Sequence, residues 1–362
     1  ALPICVAEAA ARAITAAARS DAAGLAAAWA LRAAALAESG DAIAALEACA
    51  QSLLLVPDQP RARALRPSLA APALRSGLAP KPGDVFIATF PKSGTTWLQQ
   101  IVCCLFGEPN AHVQTRVPWV EAAVATGAFS LRQLAALPHA RRAFKTHAPP
   151  EGLPVAGCLA GAPPPGVAVV VVVRDPRDVA VSLYHHSRAL KAVSYRGSWD
   201  AFLEAFLAGS APLPSAAPDA RSRRAEADWF EHTLAWWHVA RACPGQVLLL
   251  RYEDLCADTR AQVARVAGLL GVQPDGAALD AAVRASSFEA MRQRHEATDG
   301  AASRAMRHEG EAGHFRRGSP GGWREKFTPE QSRRFDAALR ERLGGSGLEE
   351  EFFPPVTTGV AR

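Results

Sequence analysis

The sequence predicts an α/β fold, with a parallel sheet flanked by helices and preceded by a small α-helical N-terminal region. Four short apolar runs have the composition of strands that are buried on both faces, namely "DVFIATF", "RRAFKTH", "VAVVVVVRD" and "QVLLLRYED". A segment with helical periodicity follows each run, as in a parallel sheet with crossover helices. Conspicuous polar side chains stand at the carboxyl ends of the runs, where α/β proteins bind their ligands.

The composition bounds the class of protein. The chain has 362 residues, of which 49% are hydrophobic and 21% charged, enough for one large domain of roughly 250 residues and a smaller unit. The longest apolar run, Val167 to Val173, has the length of a buried strand and not of a membrane span. A net charge of +5 suits an anionic ligand, while 7% aromatic residues without basic-aromatic interleaving argue against a nucleic-acid surface. We therefore expect a protein that binds a small anion and neither nucleic acid nor membrane.

The cysteine pattern indicates a reducing compartment. Seven cysteines are scattered along the chain without a CxxC pair or a His/Cys ligand spacing, namely Cys5, Cys49, Cys103, Cys104, Cys158, Cys243 and Cys256. We therefore expect a cytoplasmic protein without zinc. Because the chain starts at Ala1 with further alanine and arginine residues behind it, targeting to an organelle by a trimmed N-terminus stays open.

Residues 1–80 form the predicted helical region, which is rich in alanine and ends where "LAPKPGD" punctuates the chain. At about residues 26–59 four positions have the spacing of the packing positions of one tetratricopeptide repeat: Trp29, Gly40, Ala45 and Pro57. Generic alanine-rich helices are the alternative interpretation.

A single such repeat cannot bury its apolar face alone. We expect it to pack against a helix at about residues 5–19, against the main domain, or against another chain, so self-association or a protein partner at these helices stays open. The rest of the chain is predicted to divide into the α/β domain at 81–345 and a C-terminal tail at 346–362.

The segment "PKSGTT" connects the first predicted strand, Val85 to Phe90, to a helix that begins at Thr95 or Thr96. Free N–H groups at the start of a helix, together with nearby hydroxyls, form an anion site that a phosphate fits well. The order differs from the Walker motif GxxxxGK[ST] because Lys92 precedes Gly94, so a γ-phosphate and magnesium are not implied. A plain strand-to-helix turn capped by Thr95 is the alternative.

Several ordered motifs together resemble the cytosolic-type sulfotransferases. "PKSGTTW" is similar to the family's 5′-phosphosulfate loop, "FKTHAPPEGLP" to its catalytic-histidine segment, and "VVVRDPRDVAVSLYHH" to its 3′-phosphate segment. "LRYEDL", "SSFEAM" and "FRRGSPGGWREKFT" follow in the family's order, so the resemblance covers residues 83–340. It implies the sulfotransferase fold with its P-loop-like sheet. It also implies transfer of a sulfuryl group from 3′-phosphoadenosine-5′-phosphosulfate (PAPS) to a hydroxyl or amine of a small-molecule acceptor, with adenosine 3′,5′-bisphosphate (PAP) as product and no metal.

The resemblance implies four catalytic residues, His147, Lys92, Lys145 and Ser182. An imidazole with a pKa near 6.5 can take a proton at neutral pH, so His147 is the predicted general base. Lys92 is predicted to meet the bridging oxygen of the donor, and Lys145 to assist at the sulfuryl group. Only five of the 40 basic residues are lysine, which favours a specific role for a mobile point charge at both positions.

The resemblance also implies the residues that bind the donor: Lys92, Ser93, Gly94, Thr95, Thr96, Trp97, Arg174, Ser182, Phe230, Ser286, Phe288, Arg316, Arg317 and Gly318. The arginines would clamp the 3′-phosphate with bidentate hydrogen bonds, and Trp97 would stack on the adenine. A strand-end salt bridge with Asp175 or Asp178 is the alternative for Arg174, and a core position is the alternative for Trp97. Phe230 stands where the family commonly has tyrosine.

Trp119, in "RVPWVE", and Tyr184 are the predicted walls of the acceptor pocket, whose occupant the sequence leaves open among phenols, alcohols, sterols and amines. Pro329 removes a backbone donor from the segment that resembles the family's dimer motif, so the usual dimer is not expected. Two other functions stay open, an ATP-dependent P-loop kinase and a helical-repeat interaction protein with a degenerate enzyme domain. The missing Walker order argues against the first, and the intact catalytic residues argue against the second.

Overall fold

The computed structural model describes residues 14, 22–153, 162–213, 228–311, 313 and 315–353. The helix expected at about residues 5–19 lies, apart from residue 14, outside the described residues. The same holds for the part of the expected tail beyond residue 353.

Four parallel strands form the central sheet: β1 (Val85–Ala88), β2 (Ala143–Thr146), β3 (Ala168–Val173) and β4 (Val247–Arg251). Their order across the sheet is β2-β1-β3-β4, so β1 and β3 occupy its centre. Phe86 lies opposite Phe144 on β2 and Val169 on β3. Every side chain of β1 is buried, as expected for a strand covered on both faces. The predicted α/β fold with a parallel sheet is confirmed.

The helices of the described ranges are, in chain order, α1 (Ala22–Glu38), α2 (Ala42–Leu55), α3 (Pro60–Gly77), α4 (Thr95–Leu105), α5 (Val113–Arg116), α6 (Val120–Thr126), α7 (Leu131–Ala135), α8 (Pro176–Ala189), α9 (Trp199–Leu207), α10 (Trp229–Ala242), α11 (Tyr252–Ala257), α12 (Thr259–Leu269), α13 (Gly276–Ala285), α14 (Phe288–Thr298), α15 (Gly300–Ala305), α16 (Pro329–Leu343) and α17 (Leu348–Phe352). Single turns of 3₁₀-helix lie at Pro150–Gly152 and Gly322–Glu325. Many helices begin at a side-chain cap. Before α10, for example, the Asp228 carboxylate accepts hydrogen bonds from the first two backbone N–H groups after Trp229. Within the described ranges, no helix combines the length and the apolar character that crossing a membrane requires.

Two hydrophobic clusters cover the two faces of the sheet. Phe86 and Ala88 of β1 belong to one cluster, together with residues of α8, α9, α10 and α16. Val85 and Ile87 belong to the other, together with residues of α4, α12 and α13. The alternation follows from the two-residue period of a strand. Because both faces are covered, the carboxyl ends of the strands are the place where polar groups can meet a ligand.

The helices α1 and α2 form an antiparallel hairpin. Its turn contains Gly40 at φ +85°, a conformation that glycine adopts without strain. Ser52 Oγ on α2 donates a hydrogen bond to the carbonyl O of Ala26 on α1 at 2.7 Å. The tetratricopeptide-like interpretation of this pair and the boundaries drawn along the sequence stay predictions.

The helix α3 joins this hairpin to the sheet. Arg66 Nε on α3 donates a hydrogen bond to the carbonyl O of Val124 on α6 at 3.1 Å. Leu74 on α3 is fully buried and belongs to the same hydrophobic cluster as Phe86 of β1. The N-terminal helices therefore share one core with the sheet, which is one of the three ways in which their apolar face was expected to be covered.

Candidate active site

The loop between β1 and α4 has a backbone that demands glycine at one position. Gly94 has φ +108°, and a Cβ atom added there would lie 3.0 Å from Cδ2 of Tyr252. Lys92, two residues earlier, has φ +70°, which is uncommon for a residue with a side chain. The helix α4 begins at Thr95, as predicted. The chain is therefore bent tightly so that the start of α4 faces the carboxyl end of β1.

The hydroxyls of this loop are arranged as an anion site requires. Thr95 Oγ1 shares a hydrogen bond with Thr89 Oγ1, and Gly94 occupies the N-cap position without a side-chain cap. The alternative of a plain turn capped by Thr95 is therefore not what the structure contains. The Ser93 hydroxyl is buried and has no hydrogen-bond partner in the described part of the chain. A buried hydroxyl beside the first N–H groups of a helix fits a bound phosphate or sulfate oxygen.

His147 follows β2, and its imidazole lies beside the end of β1. Its Nδ1 is 2.6 Å from the carbonyl O of Thr89. Since a carbonyl only accepts, Nδ1 carries the proton and Nε2 is left as the basic nitrogen. Trp236 Nε1 donates a hydrogen bond to the carbonyl O of Ala148 at 3.2 Å, which fixes the chain just after His147. The imidazole is therefore held in one orientation with one tautomer.

The surroundings of His147 keep it neutral. Burial lowers the pKa of His147 well below its usual value of 6.5, and the charge of Lys145 lowers it further. The hydrogen bond to Thr89 acts in the opposite direction but does not outweigh the burial. At physiological pH the imidazole can therefore accept a proton.

Trp119 stands beside both His147 and Lys145. Its ring centroid is 5.0 Å from that of the His147 imidazole, in an edge-on arrangement. The ammonium of Lys145 lies 4.7 Å from the Trp119 ring centroid, and the backbone N–H of Lys145 donates to the carbonyl O of Pro118 at 2.8 Å. The structure thus places the predicted pocket residue Trp119 next to the predicted base.

Two lysines of the site repel neighbouring cations. Burial lowers the pKa of Lys145 to about 8. Burial lowers the pKa of Lys92 to about 7, and the charges of Arg307, Lys145, Arg174 and Arg316 add to that shift. An anion placed among these groups would be attracted by all of them and would relieve their mutual repulsion. The electrostatics are those of a site for a multiply charged anion.

Arg174 lies at the end of β3 and links three parts of the site. Its Nη1 donates to the carbonyl O of Lys92 at 3.3 Å, and its Nη2 is 3.5 Å from the carbonyl O of Ser319. The guanidinium lies 4.4 Å from the ring centroid of Tyr252. The expected alternative, a salt bridge to Asp178, is present with a long separation of 3.9 Å. The buried Arg174 Nε has no hydrogen-bond partner among the described residues, so part of the fork is available for a phosphate.

Asp178 holds the "RRGSPGGW" loop against the start of α8. Its carboxylate accepts hydrogen bonds from the N–H groups of Gly321 at 2.6 Å and Trp323 at 2.9 Å. Arg316, on the same loop, comes within range of the charge of Arg174, which contributes to the lowered pKa of Arg316 behind the effect of its burial. The two arginines predicted to clamp one phosphate are thus brought together.

Position 318 must be glycine because the Phe288 ring leaves no room for a side chain there. Gly318 has φ +72°, and a Cβ atom there would lie only 2.1 Å from Cδ2 of Phe288. Phe288 is 37% exposed and packs edge-on against Phe315 at 5.7 Å. The loop therefore lies directly on a partly exposed ring, which is compatible with the predicted adenine site. Arg317 instead pairs with Glu325 at 2.6 Å.

Three predicted site residues are turned toward other groups. Tyr184 is buried in an aromatic cluster, with its ring centroid 5.4 Å from that of Phe202. Phe230 is 1% exposed and packs on the guanidinium of Arg342 at 4.7 Å. The Ser286 hydroxyl donates to a carbonyl one turn back in its own helix at 2.7 Å. Their predicted roles at the acceptor and the adenine are not supported by these contacts.

Trp97 and Ser182 keep positions from which they can reach a ligand. The Trp97 ring is partly buried and packs edge-on against Tyr252 at 5.7 Å. Its Nε1 is buried and has no hydrogen-bond partner within the described ranges. Ser182 and His186 are partly exposed and lie one turn apart on α8.

Two further residues face the cluster, His186 and Arg307. His186 could have been suspected because it lies four residues after Ser182 on a predicted helix, and therefore on the same face. The sequence gives no such signal for Arg307, because a long-range antiparallel bridge to Leu190 brings it to the site. In the described part of the chain, no group of three or more histidine, cysteine, aspartate or glutamate side chains is placed to hold a metal ion.

The anion-binding loop, the basic cluster and a neutral histidine at the end of a parallel sheet define a group-transfer enzyme that acts on an anionic donor. A family model described as the sulfotransferase domain matches residues 82–347. The chain belongs to the sulfotransferase family, and the predicted sulfotransferase activity is confirmed.

Known relatives agree with this family, and solved structures share the fold. The chain is 30% identical over 278 residues to Sulfotransferase 1B1 of Mus musculus, a match that covers 74% of this chain and 85% of the relative. It is 31% identical over 274 residues to Sulfotransferase 1A1 of Canis lupus familiaris, covering 74% and 86%. The fold is similar to that of retinol dehydratase in complex with androsterone and the inactive cofactor PAP, with a TM-score of 0.63, 23% identity, and coverage of 77% and 86%. A mouse sulfotransferase complexed with PAP gives a TM-score of 0.55 and 24% identity, with coverage of 76% and 89%.

Proposed function

We propose that this sulfotransferase moves a sulfuryl group from PAPS to a hydroxyl or amine of a small acceptor, with His147 as the general base. The observation that carries the proposal is the meeting of Lys92, Lys145, His147 and Arg174 at the carboxyl ends of three neighbouring strands. Lys92 lies in the loop behind β1, Lys145 lies in β2 with His147 just behind that strand, and Arg174 follows β3 directly. Sulfuryl transfer from a nucleotide needs a base for the acceptor proton and cations for the donor. The imidazole of His147 can supply the base, and the two lysines and the guanidinium can supply the cations.

The residues fit PAPS as the donor. The loop from Lys92 to Thr96, with its buried Ser93 hydroxyl, would hold the 5′-phosphosulfate. Arg174 and Arg316, with Ser182, would hold the 3′-phosphate. PAP is named in the solved structures of retinol dehydratase and of the mouse sulfotransferase, and the basic cluster here offers a site for each of its two phosphates.

The roles of the catalytic residues follow from their orientation. The donor supplies the sulfuryl group, whose bond to the phosphate oxygen breaks as its bond to the acceptor oxygen forms. His147 Nε2 accepts the proton that the acceptor loses, since Nδ1 is committed to Thr89. Lys92 stabilises the charge that grows on the departing phosphate oxygen, and Lys145 stabilises the sulfuryl oxygens.

The acceptor is a small molecule that lies against Trp119. The ring of Trp119 is in contact with both the base and Lys145, so a bound acceptor that reaches His147 must pass beside it. Retinol dehydratase structures contain androsterone or retinol together with PAP. An aromatic wall of this kind suits ring-containing or unsaturated acceptors equally.

Transfer of ³⁵S from labelled PAPS to a panel of phenols, alcohols, sterols and amines tests the proposed function. We expect transfer to at least one acceptor class, with turnover that does not require added magnesium. A parallel assay with ATP and magnesium addresses the kinase alternative. Phosphate transfer from ATP in the absence of any sulfate transfer would overturn the proposal.

The binding of PAP is expected to depend on pH through Lys92. The pKa of Lys92 is lowered to about 7, and a bound anion favours the protonated amine and so raises that pKa. Between the two pKa values binding takes up a proton, so PAP affinity should be highest near neutral pH and fall between about pH 7 and 9. Calorimetry at pH 8 in buffers of different ionisation enthalpy measures the uptake. A Lys92→Met variant should lose it, and equal uptake by both proteins would contradict the assignment.

A further inference from the structure

The site contains a basic residue, Arg307, that the proposed function does not assign to the donor. Arg307 is 9% exposed, and its Nε lies 3.3 Å from the Ser303 hydroxyl. His186 lies on α8, one turn beyond Ser182. The proposed function uses neither residue.

The backbone pins Arg307 beside His186. The N–H of Leu190 donates to the carbonyl O of His186 at 3.0 Å, at the end of α8. Leu190 forms an antiparallel bridge with Arg307. On either side of this bridge, the N–H of Lys191 donates to the carbonyl O of Met306 at 3.0 Å, and the N–H of His308 donates to the carbonyl O of Ala189 at 2.8 Å. Main-chain hydrogen bonds on both sides of the bridge therefore fix the backbone of Arg307.

The charges of the site fall into two groups with Lys92 between them. The charges that act on Arg316 are those of Arg317, Arg174, Asp178 and Glu325, which belong to the 3′-phosphate clamp. The charges that act on His186 are those of Lys92, Arg307, Lys145 and His147, which belong to the side of the base. Arg307 thus acts on Lys92 and His186, and it is not among the charges that act on Arg316.

A cavity of about 730 Å³ adjoins Arg307. Lys191 and Arg307 are on its wall, as are the carboxylates Glu296, Glu309 and Glu311. Glu296 pairs with Arg304, and Glu311 lies 3.4 Å from Arg188 and 3.8 Å from Arg196. Two of the three carboxylates on the wall are therefore engaged by arginines other than Arg307.

We propose that the acceptor carries a carboxylate, which Arg307 binds while the acceptor hydroxyl is presented to His147. This inference rests on the proposed function and names the acceptor class of the same site. A guanidinium offers a planar fork that matches a carboxylate, and a partly desolvated pair of this kind is strong. His186 adds a hydrogen-bonding group without charge, since burial and then the charge of Lys92 lower its pKa to about 2. A hydroxy acid would therefore be anchored at one end and positioned at the other.

Three phenolic acids and their methyl esters test this inference: 4-hydroxybenzoate, 4-hydroxyphenylacetate and 3-(4-hydroxyphenyl)propionate. The ester removes the charge and keeps the phenol, and the series varies the distance between the two groups. For the best-fitting acid we expect kcat/KM to exceed that of its ester by about ten- to a hundredfold, as for a charge-assisted hydrogen-bonded pair. Calorimetric binding of the same compounds to the PAP-loaded enzyme should show the same order.

Substitutions at Arg307 test whether this residue causes the preference for the acid over its ester. Arg307→Gln should remove the preference for the acid, and Arg307→Lys should restore part of it by returning the charge. Arg260→Gln is the matched control, because the Arg260 side chain is 53% exposed, pairs with Asp280 at 2.8 Å and does not line the cavity. It should keep the preference.

Several results would overturn the inference. The first is that the wild-type enzyme turns over the esters as well as or better than the acids at every spacer length. The second is an equal loss for acid and ester in Arg307→Gln. The third is an Arg260→Gln variant that loses the preference as fully as Arg307→Gln. If Arg307→Gln does not fold, the wild-type acid and ester series still shows whether the acid is preferred. Arg307→Lys then shows whether the preference depends on residue 307. Failure of the proposed function looks different, since the enzyme would then neither bind PAP nor transfer sulfate to neutral phenols.

Discussion

Turnover of a His147→Ala variant is expected to fall by about 10²–10⁴-fold, to the limit of detection in a sulfate-transfer assay. The variant loses the nitrogen that takes the acceptor's proton, and no other neutral imidazole is proposed to stand at that point. PAP binding should change little, because His147 Nδ1 contacts the protein backbone at Thr89 and not the predicted phosphate sites. Steady-state kinetics and calorimetry with PAP separate the two effects.

His238→Ala is the matched control, since His238 lies exposed on α10. Its turnover and PAP affinity should both equal those of the wild type. Near-normal turnover of His147→Ala would remove His147 from the role of base. Parallel loss of PAP binding in that variant would show damage to the fold of the site and not to the chemistry.

A Lys92→Met variant is expected to lose about 10²–10³-fold in kcat, the effect of removing one group that stabilises charge in the transition state. Methionine keeps a straight side chain of similar length at the same φ of +70°, so the backbone cost is alike in both proteins. The expected loss lies mainly in kcat, because Lys92 acts on charge that grows as the phosphate oxygen departs.

Lys81→Met provides the comparison for Lys92. The Lys81 ammonium donates to the carbonyl O of Ala135 at 2.9 Å, at an exposed position away from the strand ends. This variant should keep the wild-type kcat. An unchanged kcat in Lys92→Met, or a loss confined to acceptor KM, would show that Lys92 does not act on the departing group.

The parts of the site that follow strands could be predicted from sequence. A buried parallel strand has little freedom in register, and the residue behind it must emerge at the carboxyl edge. Lys92, His147 and Arg174 each stand in such a position, so their meeting follows from the order of the strands. Gly94 could be assigned for a similar reason, since the turn behind β1 leaves room only for glycine.

The parts that depend on helix phase and on long-range bridges could not be predicted in the same way. Tyr184 and His186 are two residues apart on α8, yet Tyr184 enters the aromatic cluster while His186 faces the basic cluster. A rotation of the helix by half a turn would exchange them, and local pattern does not fix that angle when both faces are apolar. Arg307 comes to the site through a bridge to Leu190, more than a hundred residues away in the chain.

The ring of Tyr252 lies between the two proposed anion sites. It lies against Gly94 of the loop and under the guanidinium of Arg174, and its own helix starts directly after β4. One side chain thus separates the place proposed for the 5′ group from the place proposed for the 3′ group. Because Tyr252 is 5% exposed and follows a strand directly, we expect the sheet and not the surface loops to fix the spacing of the two phosphates that this enzyme accepts.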